Sequence, residues 1–475
     1  MRERDISVLL VSVPVVEEFH GNLVRAYMDS FRNNPHLGVY LLAAILKRHF
    51  PVAVLDMVAT GTWCKQTVID ASRGFDVVGI SGNSMNWAAA RAVAKWLREE
   101  RDDVVIVAGG LHPTLYPDEV LSENLFDYVV RGEAEEIIVP LIRAIACGVR
   151  KPELPGVVWT GCPASKVAPL KLDTRTFEQL PEPAWEFLPN PKLFQSIPLE
   201  TSRGCSSACR FCAIPQQRSW RPRTPTRVAN SIRSVLDIAK TTRTGKLSIT
   251  DDCSTTSAQR LIELGEILCS SDIHASLTLG GRALDITRHP HLLRTMNSFV
   301  SNLLIGAECG YDEGLKRVGK PITTKTLLHT ADILCGYGNP ERFVFSFIIG
   351  LPWESIEQCK ETIQFAEHLI LNYGIFVYLQ WFTLMPGSLF WTDAGESEAI
   401  CRTYGYFTDL DWFMKHNNLS LGNVVDLCET IFSLISFNRS FYPDGRIGFA
   451  IPMGLKKAFP DWKAVMESAR ITGLQ

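Results

Sequence analysis

The stretch SRGCSSACRFCAIP, residues 202–215, holds three of the chain's 13 cysteines at C-x3-C-x2-C spacing: Cys205, Cys209 and Cys212. It follows an apolar run, IPLETS, that reads as a strand, so the spacing places three thiols on one strand-end loop. Three thiolates held this close can bind a cubane iron–sulfur cluster at three corners, leaving one iron without a protein ligand. Such an iron is open to a substrate or a cofactor. Zinc, the competing metal, takes a fourth nearby ligand in a structural site. No histidine lies between His112 and His274, and the flanking Cys162 and Cys253 are distant in sequence, so only the fold can bring a fourth ligand in. The other ten cysteines have no partner at ligand spacing, and small buried side chains are their simplest reading. An odd count scattered from Cys64 to Cys428 argues against a disulfide framework.

From this loop the rhythm of the chain extends both ways. Residues 198–394 contain six candidate strands, IPLETS, KLSITD, SLTLGG, NLLIGAE, FVFSFIIG and IFVYLQWF, separated by helix-like segments. Each ends in polar or glycine residues that would line one mouth, which predicts an incomplete parallel barrel. Upstream, residues 1–145 alternate strands (ISVLLVSV, VAVLDMV, DVVGISG, VVIVAGG, FDYVVRGE) with helices such as LGVYLLAAILKRH and NWAAARAVAKWLREER. Apolar strands alternating with helices predict a doubly wound, Rossmann-like parallel sheet. Ligands of such sheets lie beyond the carboxyl ends of the strands, where the loops carry Ser81-Gly82-Asn83, Gly109-Gly110-Leu111-His112 and Arg131-Gly132-Glu133. Residues 145–200 hold nine of the 26 prolines and mark 146–197 as an irregular connector. Residues 395–475 read as mostly helical and rich in aromatics, among them Tyr404, Tyr406, Phe407, Trp412 and Phe413.

Composition narrows the function. The 475 residues are 46% hydrophobic and 21% charged, the make-up of a globular chain, and 48 basic against 51 acidic residues argue against a general nucleic-acid or membrane-surface binder. No apolar run approaches the ~20 residues of a membrane span. The start, MRERDISVLLVSVPVV, breaks at Pro14 and reads as a buried strand, so a cytoplasmic enzyme is expected.

C-x3-C-x2-C with an aromatic residue, Phe211, before the last cysteine resembles the signature of the radical S-adenosylmethionine (radical SAM) superfamily. Later segments are similar too: TDDCST at 250–255, IGAECGYDEGLKRVGKPIT at 305–323, FIIGLPWES at 347–355 and LMPGSLFW at 384–391. GIS at 79–81, GGLHPT at 109–114 and VRGEAEE at 130–136 resemble the cobalamin-binding domain fused to many such enzymes. The resemblance implies an α/β chain: an N-terminal cobalamin-binding-type domain, a partial (β/α)6 radical SAM barrel and a mostly helical C-terminal region.

It also implies roles for particular residues. Cys205, Cys209 and Cys212 would ligate a [4Fe–4S] cluster whose open iron chelates S-adenosylmethionine (SAM). Phe211, Asp251, Asp252, Arg282, Glu308, Ile349 and Gly350 would contact SAM. Asp251 and Asp252 would hold its amino group, Arg282 its carboxylate, and the backbone of Ile349 and Gly350 its adenine. Glu308 ends a strand inside an apolar run, where an unpaired carboxylate is costly, so a polar partner or ligand is expected. Glu354 departs by one residue from the family spacing. Ser81, Gly109, Gly110, Thr114, Gly132 and Glu133 would contact cobalamin. The D-x-H-x-x-G motif that supplies a cobalt-ligating histidine is absent, because Asp56 is followed by Met57-Val58-Ala59. His112 reads as a loop residue more than as a ligand. Tyr378, Gln380 and Trp381, with the aromatic tail, are candidate substrate walls, although strand alternation turns only part of the set inward.

The activity implied is a cobalamin-dependent C-methyltransferase that acts on a small, secondary-metabolite substrate through a 5′-deoxyadenosyl radical. A flavodoxin or ferredoxin is the expected electron donor. A radical dehydratase, ring-rearranging or cyclising enzyme, with the cobalamin domain redox-active or empty, stays open as an alternative. A corrinoid- or redox-sensing binding module is the remote one. A tRNA methylthiotransferase is disfavoured, since the upstream domain lacks a second three-cysteine set.

Overall fold

A computed structural model describes residues 6–19, 22–25, 34–213, 219–396, 410–441 and 447–450 of the chain. It divides into two compact units that change over between Pro198 and Leu199, with the segment Asp237–Gly245 grouping with the first.

The first unit carries β1 (Val8–Ser12), the hairpin β2 (Val16–Phe19) and β3 (Asn22–Arg25), β4 (Val52–Asp56), β5 (Val77–Ser81), β6 (Val105–Gly109), β7 (Tyr128–Val130) and β8 (Val157–Trp159). Its main sheet has the order β4-β1-β5-β6-β7-β8, parallel up to β7. All five residues of β1, VLLVS, are buried, and alternation splits them between two cores. Leu9 and Val11 pack with Ile80, Trp87, Val93 and Leu97 on one face. Val8 and Leu10 pack with Val39, Ala43, Leu141 and Ile142 on the other. Helices therefore cover both faces, as expected of parallel strands rich in Val, Ile and Leu. The chain winds outward from β1 in both directions, so its carboxyl end is a topological switch point. There the register aligns Asp56, Ser12, Ser81 and Gly109 in one row across four strands. The proline-rich connector is less irregular than expected. Its Val157–Trp159 forms β8, which pairs antiparallel with β7.

The changeover falls within β9 (Ser196–Leu199), which joins the large sheet of the second unit; that unit also holds the short ladder β10 (Ser202–Arg203) with β11 (Arg221–Pro222), then β12 (Lys246–Ile249), β13 (Leu277–Gly281), β14 (Val300–Glu308), β15 (Phe343–Ile349), β16 (Phe376–Trp381) and β17 (Ile447–Ala450). Its large sheet runs β17-β16-β15-β14-β13-β12-β9, and every neighbouring pair from β12 to β17 is parallel. The six expected strands are present. The C-terminal region adds a seventh, after helices Leu410–Lys415 and Leu421–Phe441. Tyr404, Tyr406 and Phe407 lie outside the described residues.

The two faces of this sheet differ in burial. On the helix side, marked by the Phe347–Phe365 ring contact, Leu303, Ile305, Ala307, Phe345, Phe347, Val377 and Leu379 are fully buried. On the inner side Ser248, Thr278, Asn302, Val344, Tyr378 and Gln380 are only partly buried, and Leu304 is 45% exposed. Among the described residues no helix is long and apolar enough to cross a membrane.

Backbone approaches fix the loops of the first unit. Gly132 has φ 83°, and a Cβ there would lie 2.1 Å from the Leu170 carbonyl oxygen. Gly132→Ala should destabilise this unit by on the order of 2 kcal/mol, combining left-handed strain with a clash against backbone, and thermal melting would read the loss.

Candidate functional site

The three-cysteine loop has almost no regular structure of its own, so side chains from other strand ends hold it. At its start, Asp251 accepts four hydrogen bonds, from the backbone N–H and hydroxyl of both Thr201 and Ser202, at 2.5–2.9 Å. Asp252 accepts from the Gly204 N–H at 2.8 Å. In the middle, Arg282 donates to the hydroxyls of Ser206 and Ser207 at 3.2 and 3.0 Å. Its other edge forms a two-pronged pair with Asp285 at 2.8 and 2.9 Å, and Asp285 also accepts from Thr255. At the far side the Arg210 N–H bonds the Val318 carbonyl at 3.0 Å. Gly319 is equally constrained, since a Cβ there would come within 2.9 Å of the Ala208 carbonyl.

All three cysteines are partly buried, as is Phe211 between them. The neighbouring Cys253 thiol, helped by the Ser207 N–H, holds the Cys205 thiol below its usual value, while burial pushes Cys209 up. Among the described residues no three His, Cys, Asp or Glu side chains converge on one mononuclear ion. A cubane asks for a different set, one thiolate on each of three irons, and the three-sulfur loop supplies that donor chemistry.

Several residues expected to touch SAM are already engaged. The oxygens of Asp251 are taken up by the Thr201–Ser202 turn, and the guanidinium of Arg282 by Asp285 and the cysteine loop. The Ile349 carbonyl accepts from the Phe382 N–H at 2.8 Å, and the Gly350 carbonyl from the Asn417 amide at 3.1 Å. Gly350 has φ 73°, and a Cβ there would strike Asn417 and Trp381. Glu354 is fully buried, accepting from Tyr311, the Leu351 N–H and Cys359. Burial pushes its carboxyl above the usual range.

Glu308 has the polar partner that its apolar setting requires. It sits at a register shift between β14 and β15 with φ 66°, a strained value for a residue with a side chain. Its carboxylate pairs with Lys320 at 2.9 Å, and Lys320 also donates to the Gly306 carbonyl at 3.0 Å. Burial pulls the Lys320 ammonium down, but Glu308, with Cys209 behind it, more than offsets this and holds it above its usual value. A Cβ on Gly306 would sit within 3 Å of both charged groups. Lys320 was not picked out from the sequence. Its place in GKPIT gives no sign that it folds back onto the end of β14.

Of the candidate substrate walls, Tyr378 and Gln380 lie on the open inner face of β16, opposite Ser346 and Ile348 of β15. Trp381 points the other way. It is buried against Phe413 at 5.4 Å, so alternation removes it from the inner wall.

In the first unit, Gly110 (φ 100°) brings the 109–114 loop onto Gly82, where a Cβ would meet the carbonyl oxygen at 2.4 Å. Thr114 donates to the Gly110 carbonyl and accepts from the Gly132 N–H. Glu133 accepts from the Leu172 N–H at 2.7 Å. Arg131 donates to the carbonyls of Thr114, Ala164 and Val167. These residues knit loops to one another. By contrast Gly109 has open space at its Cβ position, and Ser81, beside it in register, is partly exposed. Ser12 in the same row is buried, with no hydrogen-bond partner for its hydroxyl. An open glycine beside two serine hydroxyls at a switch point fits a ligand with polar edges, as a corrin has. Asp56 caps the turn Met57–Thr60 and accepts from Tyr40 at 2.6 Å. His112 is fully buried, stacked on Trp87 at 4.6 Å and bonded to Ser84.

Two predictions follow from these placements. Lys320→Met leaves the buried Glu308 carboxylate without its cation and should cost about 3–5 kcal/mol by denaturant unfolding, with the Glu308→Gln/Lys320→Met double variant recovering part of it. Burial also pushes His112 down to about 3. The unfolded chain then binds a proton below about pH 6.5 that the folded chain refuses, so stability falls with pH. Between pH 6.5 and 5 the loss is up to about 2 kcal/mol, and His112→Gln should flatten that slope in melts at the two pH values.

The B12 binding domain family matches residues 26–142, and the Radical SAM superfamily matches residues 199–366, together more than half of the chain. An uncharacterised methyltransferase of Pyrococcus horikoshii is 26% identical over 391 residues, which is 80% of this chain and 83% of that protein. An anaerobic magnesium-protoporphyrin IX monomethyl ester cyclase of Rubrivivax gelatinosus is 24% identical, covering 78% of this chain and 67% of its own length. In fold, the cobalamin-dependent S-adenosylmethionine radical enzyme OxsB, solved with aqua-cobalamin bound, matches with a TM-score of 0.70 at 18% identity, over 98% of this chain and 72% of that one. A three-thiol loop at the mouth of an open parallel barrel, preceded by a doubly wound sheet, is thus accounted for: the chain belongs to the radical SAM superfamily and carries an N-terminal B12-binding domain.

Proposed function

We propose that this protein is a cobalamin-dependent radical SAM C-methyltransferase acting on a small molecule. The observation that carries the reading is the one-sided burial of the second sheet. Its helix face is dry, whereas its inner face leaves Leu304 exposed and Tyr378 and Gln380 partly so. Small-molecule sites set placed polar groups beside apolar surface, and this face offers Tyr378 and Gln380 next to Leu304 and Val344. The likeness to the Pyrococcus methyltransferase favours methyl transfer.

When bound, the cluster and SAM supply the radical that takes a hydrogen from substrate, and the corrinoid supplies the methyl group. The chain's own residues set the geometry. Cys205, Cys209 and Cys212 hold the iron. Asp251, Arg282 and Asp285 act as positioning residues that fix the loop bearing those thiols. Glu308, aimed by the bulge and neutralised by Lys320, places a carboxylate at the mouth for the polar part of SAM. Tyr378 and Gln380 offer a hydroxyl and an amide to substrate from the inner wall. Ser81 and Gly109 receive the corrinoid in the first unit. A one-electron donor of the flavodoxin or ferredoxin kind completes the system.

The second reading, a radical cyclisation or rearrangement without methyl transfer, draws on the likeness to the Rubrivivax cyclase. Anaerobic reconstitution should load about four irons and one cobalt per chain, and Cys205→Ala, Cys209→Ala or Cys212→Ala should abolish the iron. Turnover should release S-adenosylhomocysteine and 5′-deoxyadenosine in equal amounts, whereas 5′-deoxyadenosine alone would favour the second reading. Gln380→Leu should lower product formation about tenfold while SAM cleavage continues uncoupled, because the substrate alone loses its register.

A further inference from the structure

The three-thiol loop turns one side outward. Ser206, Ala208 and Arg210 are exposed, so both neighbours of Cys209 face solvent. On one flank lies the end of the helix Asp312–Arg317, where the Arg210 N–H meets the Val318 carbonyl at 3.0 Å and the exposed Lys316 and Arg317 stand in the last turn. On the other flank is the helix Leu389–Ala394, whose Phe390 N–H bonds the Arg210 carbonyl at 3.2 Å and whose Leu389 is 38% exposed. Four side chains run between the flanks in one unbroken series. The Arg210 guanidinium lies 5.4 Å from the Phe390 ring centre, Phe390 lies 5.6 Å from Trp353, and the Arg317 guanidinium stacks on Trp353 at 4.3 Å. Stacking holds both cations in place without neutralising them. Asp393 pairs with Arg210 at 2.6 Å, but among the described residues Lys316 and Arg317 form no ion pair. The acids of their helix, Asp312 and Glu313, lie in its first turn, at the other end.

We infer that this face is the docking surface for an acidic one-electron carrier protein of the flavodoxin or ferredoxin kind. Arg210, Lys316 and Arg317 form its basic rim, and Leu389 and Trp353 its apolar part. The inference rests on the cluster being bound by Cys205, Cys209 and Cys212 and cleaving SAM. The face is continuous with the ligand loop through Ala208 and Arg210, so a carrier seated on it approaches the thiols across the loop itself. Its exposed cations complement the acidic surface of such a carrier, and complementary charge speeds encounter more than it tightens a complex. Arginine and aromatic side chains are the residues enriched at protein interfaces, and a patch of this modest extent suits the small, short-lived contacts of electron transfer. In the encounter one electron leaves the carrier's reduced cofactor and enters the cluster. The carrier is oxidised by one electron, the cluster is reduced by one, and no covalent bond joins the partners.

The test compares reductants on the reconstituted enzyme, with 5′-deoxyadenosine as the readout. A flavodoxin and a ferredoxin, each kept reduced by an NADPH-dependent reductase, supply two arms, and excess dithionite supplies the third. Cleavage driven by at least one carrier should fall as salt rises, because screening shortens the reach of the rim charges. Lys316→Glu/Arg317→Glu should lower the carrier-driven rate roughly tenfold at low salt and flatten its salt dependence, with iron content and the dithionite-driven rate unchanged. Lys316→Glu alone, which disturbs no stacking contact, should give part of the same loss. Carrier-driven rates that match the parent in both variants overturn the proposal, as does a parent enzyme that dithionite activates but neither carrier does. An enzyme that cleaves no SAM even with dithionite removes the reading beneath it instead.

Discussion

The contact on which the second unit's mouth depends is the Arg282–Asp285 pair and its reach onto Ser206 and Ser207. A loop of three cysteines cannot be held by secondary structure, because its backbone must leave the sheet to face a ligand. Its shape must come from outside, and a planar guanidinium is well suited to this. One edge is fixed by a carboxylate, and the remaining nitrogen meets two hydroxyls at defined angles. Asp251 does the same at the loop's entrance with four accepted bonds, and Val318 and Gly319 do so at its exit through backbone alone. Charged groups that look like ligand contacts in a sequence thus also serve to hold the loop itself.

The sheets were legible because their cause is local. Runs such as VLLVS and FVFSFII are predominantly apolar and soon interrupted by Pro14 and Gly350, and all six expected barrel strands appear within a few residues of the expected places. The cysteine loop was legible for the same reason, since its spacing is the signal. What stayed hidden depends on contacts distant in sequence. Lys320 matters only because the chain after β14 folds back onto Glu308, and Thr255 and Asp285 only because β12 and β13 end side by side. The strand Val157–Trp159 is three residues in a proline-rich stretch, too short to show a period. Trp381 shows the limit of reading an aromatic cluster as a wall. It is adjacent to Gln380 in sequence but on the opposite face of the strand.

The bulge at Gly306–Glu308 links fold to chemistry in another way. A parallel strand presents its side chains in strict alternation, and a shift of register is the simplest way to re-aim one of them. Here the strain of a left-handed glutamate is borne by the strand pairs on either side and by the buried Lys320. Gly306 must stay small, because the space above its Cα belongs to the ion pair.

Leu304 has a thermodynamic consequence for whatever enters the barrel. Nearly half of this side chain, together with parts of Val344 and Tyr378, is wetted on a face whose reverse side is dry. A ligand that covers them releases that water, and removing apolar surface from water carries a negative heat-capacity change. The enthalpy of binding should therefore become more favourable on warming, with entropy giving way to match, so occupancy of the inner face would have a calorimetric signature independent of any reaction there.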